Sequence, residues 1–371
     1  MEAQGDSKPP LKPHEGVQRA LLSTTSWLFG LYETEEVRID HAWPRPGDDD
    51  QMHRWSEGPT SRSTYVLSFL APGPERRPGV ALPEYSGAGD YAAATMSVLF
   101  GKRFECHGAL ENCGFFRMPD VSAFARTSFR GLPHNTHATR ADFPIPLNLV
   151  EVRRLAALWS DDAEDNPDVA AFGAAARFYQ RALIAADTDP EVAYLHLITA
   201  GEILSQAFVP KRDDRLLDPE LEAGLATVTA ALKDEGKLAR ALRTRLFEVK
   251  RRYVSTFTAL VDVAFFTRRE AGESYGALQE ADFEVVIGAA YDLRSQNVHR
   301  GEVVGHWMRS LHSNNEVQLG RPVVKDAALA RALGKAPTLI GLERVARYVL
   351  LRFAEARLGL DLDIAPDHAT V

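Results

Sequence analysis

An arginine, an asparagine and a histidine gather in one short stretch of the chain, YDLRSQNVHRG at residues 291–301. Arg294 supplies a permanently charged, planar fork suited to two non-bridging phosphate oxygens. His299 belongs to the one side-chain type that titrates near neutrality, so it can serve as general base or acid. A proton-exchanging imidazole and an anion-holding guanidinium are a pair that can work without a metal ligand set. The same residues admit a structural reading: an arginine tying helices together and a histidine complementing a helix dipole. Spacing alone leaves both open.

The helix that must carry these groups is expected over 281–300. Phe283, Ile287 and Ala290 form one apolar row along it, and Arg294 and then Asn297 continue that row. Polar groups on a face destined for burial need partners or a water-lined cleft. His299 lies on another row, behind Asp292 and Ser295, in the last turn before a stop at Gly301. A second helix, expected over 190–208, offers a counterpart: Leu195 and Ile198 define a row on which Glu202 comes next. Its carboxylate either meets Arg294 or sits at the margin of the packed face with its head in water. Five residues turn an ideal helix by about 140°. Arg294 and His299 of one chain therefore do not share a face. They converge only through unwinding at the helix end or through a second copy across a two-fold axis.

Residues 237–252 (KLARALRTRLFEVKRR) hold seven cations against one carboxylate, in a chain whose net charge is −8. That run is either a solvated helix face or a phosphate-positioning surface formed by Arg245, Lys250, Arg251 and Arg252, with Arg300 added from the motif. The acidic balance excludes a histone-like binder but not local contacts to a few phosphates. There is no Walker A loop, HExxH, GxSxG elbow or GxGxxG before a helix. Gly87-Ala88-Gly89 precedes a helix expected at Asp90–Phe100, with Asp90 as cap and Gly101 as stop, and reads as an ordinary loop. Cys106, His107, Cys113, His134 and His137 contain soft ligands but lack the short spacing of structural zinc sites. Neither metal nor cofactor is expected.

The elements around these residues change character along the chain. Residues 1–16 read as a frayed tail. Residues 17–146 mix short β-type runs, such as Ser63–Leu70 and a strand, turn and strand over Arg103–Met118, with Pro and Gly clusters, and are expected to form an α+β domain. After an extended Phe143–Pro146 linker, residues 147–371 carry helical periodicity almost throughout. Helices are expected at about 148–160, 168–186, 190–208, 219–246, 248–267, 281–300 and 338–358, with Pro167 and Pro190 in first turns. The expected architecture is an α+β N-terminal domain followed by an all-α bundle. Two cysteines exclude a disulfide framework, no apolar run reaches a membrane span, and Met1–Gly16 has no apolar leader core. A cytoplasmic location with no membrane partner is the expectation.

Arg294-x4-His299, preceded by Leu293 and followed by Gly301, resembles the RxxxxH signature of HEPN domains. The string LRSQNVHRG is most similar to the ApeA-like branch, and Ala200-Gly201-Glu202-Ile203-Leu204 resembles that branch's preceding helical segment, with Gly201 a departure. The resemblance covers about residues 150–360. It implies a HEPN-like helical bundle and a metal-independent endoribonuclease, in phage defence or a toxin-like system, that leaves 2′,3′-cyclic phosphate ends. Arg294 and His299 would be catalytic, with Glu202, Asn297 and Ser295 in support. Ser295 stands where active relatives often have Asn, Asp or His. The implied partners are RNA, a second copy of the chain and an antitoxin or trigger protein, with the N-terminal domain sensing or selecting. The alternative is a non-catalytic HEPN module that binds RNA or a partner protein.

Overall fold

In a computed structural model, the described residues are 15–42, 62–72, 85–112, 115–120, 122, 126–160, 163, 165–208, 219–231, 237–238, 249–300, 305–309, 314–320 and 322–362. They form a mixed α+β, mostly helical protein with the sheet in the N-terminal part. The strands are β1 (Glu15–Thr24), β2 (Tyr32–Glu33), β3 (Val37–His41), β4 (Ser63–Pro72), β5 (Phe104–Asn112) and β6 (Phe115–Phe116), in the order β2-β3-β4-β1-β5-β6. All the pairings are antiparallel. β1 is central: it pairs with β4 from Glu15↔Pro72 to Thr24↔Ser63, and bulges interrupt its register with β5 around Ala20. Its later residues, Ala20 to Thr24, are buried on both faces.

One face of the sheet carries α1 (Ser86–Phe100), a helix rich in small residues that buries Ala92, Ala93, Met96, Leu99 and Phe100. It starts at Ser86, so Asp90 lies inside it rather than capping it, and Gly87 and Gly89 belong to its first turns. Gly89 is a packing glycine, since a Cβ there would meet Cys106 Sγ at 2.7 Å and Ala20 Cβ at 3.0 Å. α1 ends at Gly101 with φ 60°, where a side chain would be both strained and driven into Arg140 and Arg347.

Helices dominate after residue 146. Leu149–Leu158 is a 3-10 helix, not the expected α-helix. Leu149, Val152, Leu155 and Leu158 are the buried apolar residues, and their spacing of three matches three residues per turn. α2 (Pro167–Ala185) and α3 (Pro190–Ala207) begin on proline, each behind an Asn or Asp whose side chain accepts from a first-turn N–H. α4 spans Pro219–Ala231. The helix expected over 248–267 is two, α5 (Val249–Leu260) and α6 (Val263–Thr267). Asp262 breaks it by accepting from the N–H groups of Ala264 and Phe265. α7 (Phe283–Arg300), α8 (Gly305–Met308), α9 (Ala327–Lys335) and α10 (Leu339–Leu358) complete the set.

Sheet and helices share one contiguous hydrophobic cluster, from Leu22 and Tyr65 to Tyr348 and Leu362. Phe143 and Ile145, expected in a linker, are buried within it. α10 crosses this core and is buried on nearly every side. Its charged residues are paired across the two regions. Arg140 grips Glu343 through two bonds of 2.8 and 2.6 Å and holds Glu270 at 2.7 Å. Tyr179 also donates to Glu343. Arg347 meets Asp142 at 2.5 Å and the carbonyls of Val98 and Leu99, while Arg344 meets Glu316 at 2.8 Å. Each buried guanidinium is met by a carboxylate, which is what tolerates its loss of water. Among the described residues no helix is long and apolar enough to cross a membrane.

Candidate functional site

The site is framed by α3, α5 and α7. On α7, Phe283, Ile287 and Ala290 are buried as the row requires, and Arg294 ends that row with its side chain 29% exposed. Packing fixes the stem while the guanidinium reaches the surface. Glu202, projecting from α3, accepts from Arg294 Nη2 at 3.4 Å through Oε2, and from the Tyr291 hydroxyl at 2.9 Å through Oε1. One carboxylate thus bridges a phenol and a guanidinium on consecutive turns of α7. The Arg294 guanidinium also lies 5.7 Å from the Tyr291 ring centroid. Burial and the Glu202 carboxylate together push the Tyr291 hydroxyl up to about 12, so it stays protonated and donates. Arg294 spends a single long bond on Glu202 and has no other hydrogen-bond partner among the described residues.

The floor is aromatic. Tyr253 and Phe257 of α5 stack with ring centroids 4.3 Å apart, and Tyr291 tilts against Tyr253 at 5.5 Å. Gly201 allows this approach: a Cβ there would meet ring carbons of Tyr253 and Phe257, the latter at 2.5 Å. That explains glycine before Glu202 in place of a larger residue. The Tyr253 hydroxyl is buried with no hydrogen-bond partner among the described residues, and burial holds it well above the usual phenol range.

The first turn of α5 brings basic residues to the same edge. Lys250 is committed to Asp292 of α7 at 2.6 Å, with both side chains well exposed. Arg251 and Arg252 are half-buried, and the charge of Arg252 is felt at the Tyr291 hydroxyl. Ser295 is half-buried beside Arg294 on α7. Asn297, His299 and Arg300 lie on the α7 backbone, which is helical through Arg300, but their side chains fall outside the described residues. Arg245 and the rest of 239–248 fall outside them as well.

The soft-ligand group is dispersed. His107 Nε2 pairs with the Ser23 hydroxyl at 2.7 Å, and His134 is fully buried, with desolvation holding it down to about 3. His137 instead meets Arg130 at 3.4 Å, and Cys113 lies outside the described residues. Among the described residues no group of three or more His, Cys, Asp or Glu could hold a metal ion.

Glu202 and Arg294 are legible from helical rows, and the structure brings them together. Tyr291 and Tyr253 carry no such signal. An aromatic three residues before an arginine reads as core until the partner helix is placed. No family model matches the chain, and no curated protein or solved structure is significantly similar to it. The functional reading therefore rests on the residues of 291–301, their resemblance to the RxxxxH signature, and the geometry around Arg294.

Proposed function

We propose that this chain is a metal-independent endoribonuclease of HEPN type, in which Arg294 and His299 act on the RNA phosphate. The observation that carries the reading is the state of Arg294. It ends an apolar helix row, is held by Glu202 through one 3.4 Å bond, and keeps the rest of its fork uncommitted among the described residues. A preorganised cation in that condition suits charge that grows on the non-bridging oxygens of a pentacoordinate phosphate. Tyr291 strengthens the arrangement by fixing the second oxygen of Glu202.

His299 takes the 2′-hydroxyl proton in this reading. The 2′-oxygen then forms a bond to the adjacent phosphorus, the bond from phosphorus to the 5′-oxygen breaks, and the leaving oxygen receives a proton from a general acid. The products are a 2′,3′-cyclic phosphate and a 5′-hydroxyl. α7 is helical through Arg300, so five residues of helix separate the two groups and turn them about 140° apart. A homodimer that sets one chain's Arg294 near the partner's motif supplies the convergence. Arg251 and Arg252, on the neighbouring helix edge, would position the strand. A role in phage defence or a toxin-like system, under an antitoxin or trigger protein, follows from the same resemblance.

The test is incubation of the full chain with mixed RNA, with and without EDTA. Cleavage that survives chelation and leaves 2′,3′-cyclic phosphate ends supports the reading. Cleavage abolished by EDTA, or 3′-hydroxyl and 5′-phosphate ends, overturns it.

A further inference from the structure

A second cluster of charge lies away from Glu202, where β5, α2 and the start of α3 meet. Pro190, the first residue of α3, and Glu202 are separated by roughly 18 Å of helical rise. The cavity there has a volume of about 360 Å³, at the small end of ligand sites, roughly 300–1,000 Å³. Three guanidinium groups line it, from Arg103, Arg126 and Arg181, against a single carboxylate, Asp187. That carboxylate is already occupied. It accepts from Arg103 Nη1 at 2.6 Å, from the Phe129 N–H at 2.7 Å and from Asn135 Nδ2 at 3.1 Å.

The surrounding charges do not complete the balance. Arg103, 2% exposed at its side chain, also meets Glu105 at 2.7 Å, but Arg62 shares that carboxylate at 2.9 Å. The Arg103 Nε–H is buried and has no acceptor among the described residues. Arg126 and Arg181 have neither a hydrogen-bond nor an ion-pair partner among the described residues. Arg181 rests over the Phe178 ring at 5.6 Å, and the charge of Arg126 is felt at the exposed Asp120. One buried arginine and two exposed ones line the hollow against Asp187, a surplus of about two positive charges. Ile184 and Ala185 give the hollow an apolar wall.

We infer that this cavity binds a phosphate monoester together with the nucleoside that carries it. A dianion matches the surplus of two, and planar guanidinium forks fit its oxygens. The apolar wall takes the organic part. Two sources share this chemistry, a free mononucleotide and the 5′-phosphorylated end of an RNA strand. Neither Arg294 nor His299 takes part, so the cavity's ligand is independent of the ribonuclease reading.

The experiment is calorimetric titration of the full chain with AMP, with adenosine, and with two 2′-O-methyl oligonucleotides that differ only in a 5′-phosphate. A 2′-O-methyl strand cannot be cut by its own sugar, so binding is read apart from cleavage. AMP is expected to bind at least tenfold more tightly than adenosine. The R126Q/R181Q variant is expected to lose tenfold or more in AMP affinity with an unchanged unfolding temperature, since Arg126 and Arg181 are exposed. The His196 imidazole, facing Arg181 and held low by burial and that charge, should titrate at higher pH when AMP is bound. If the 5′-phosphate tightens binding of the oligonucleotide tenfold or more and R126Q/R181Q removes that gain, the RNA end is the source; if the two oligonucleotides bind alike while AMP binds, the free mononucleotide is. AMP and adenosine binding alike, no AMP binding at millimolar concentration, or unchanged AMP affinity in R126Q/R181Q would overturn the inference.

Discussion

Glu202 and Arg294, on different helices, meet through one hydrogen bond of 3.4 Å, and Tyr291 holds the other oxygen of the same carboxylate at 2.9 Å. The pair is partly exposed, so its worth to stability is small, on the order of 1 kcal/mol or less. Its consequence is geometric. Tyr291→Phe should leave folding nearly unchanged and lower the RNA cleavage rate several-fold, because Glu202 loses the bond that fixes it. Glu202→Gln should lose more rate and some stability. Single-turnover rates and denaturant midpoints of both variants check this; equal rates for both variants and the parent would remove Glu202 from any positioning role.

Gly201 is the residue that lets Tyr253 and Phe257 lie under the site. Gly201→Ala is expected to destabilise the protein by about 1–3 kcal/mol through overpacking. The standard helix scale would instead have alanine stabilise the position by about 1 kcal/mol. The sign of the shift in a urea midpoint therefore decides which effect wins.

The rows on α3 and α7 are legible because local periodicity places residues on faces without knowledge of the rest of the fold. The same kind of signal at a spacing of three, Leu149, Val152, Leu155 and Leu158, suggests an α-helix and misleads. Val152/Ala156 and Leu155/Trp159 also offer the spacing of four, so nothing local marks the tighter turn. Arg140 and Glu343 are invisible in the sequence for a different reason. They lie 203 residues apart, and nothing local in HATRADF or LIGLERV marks either as half of a buried pair. The convergence of Arg103, Arg126, Arg181 and Asp187 is hidden in the same way. Long-range charge pairing has no period.

His134 gives the protein an acid-sensitive component of stability. Burial holds its folded pKa down to about 3 against an ordinary 6.5, so between those values the unfolded chain binds the extra proton. Stability attributable to this group is complete above about pH 6.5 and is lost as pH falls toward 3. Every tenfold difference in proton affinity between the folded and unfolded chain is worth about 1.4 kcal/mol, so several kcal/mol are at stake across the window. Denaturant titrations at pH 7, 5.5 and 4.5 should show the parent losing more stability than His134→Phe. Parallel losses would place the acid sensitivity elsewhere.

In the proposed reading Arg251 and Arg252 position the strand and take no part in the chemistry. Neutralising both, as R251Q/R252Q, should weaken RNA binding and flatten its dependence on salt concentration by about two in logarithmic slope. The cleavage rate at saturating RNA should hold. An unchanged affinity and slope would make the run a solvated face.

His299→Ala bears most directly on the central claim. In single-turnover cleavage of one defined RNA, with EDTA present and the fold confirmed by circular dichroism, the rate is expected to fall by roughly 100-fold or more. Arg294→Lys should fall with it, since a point charge cannot reproduce the fork. A rate for His299→Ala within a few-fold of the parent on the same RNA would contradict the catalytic assignment and leave a binding module in its place.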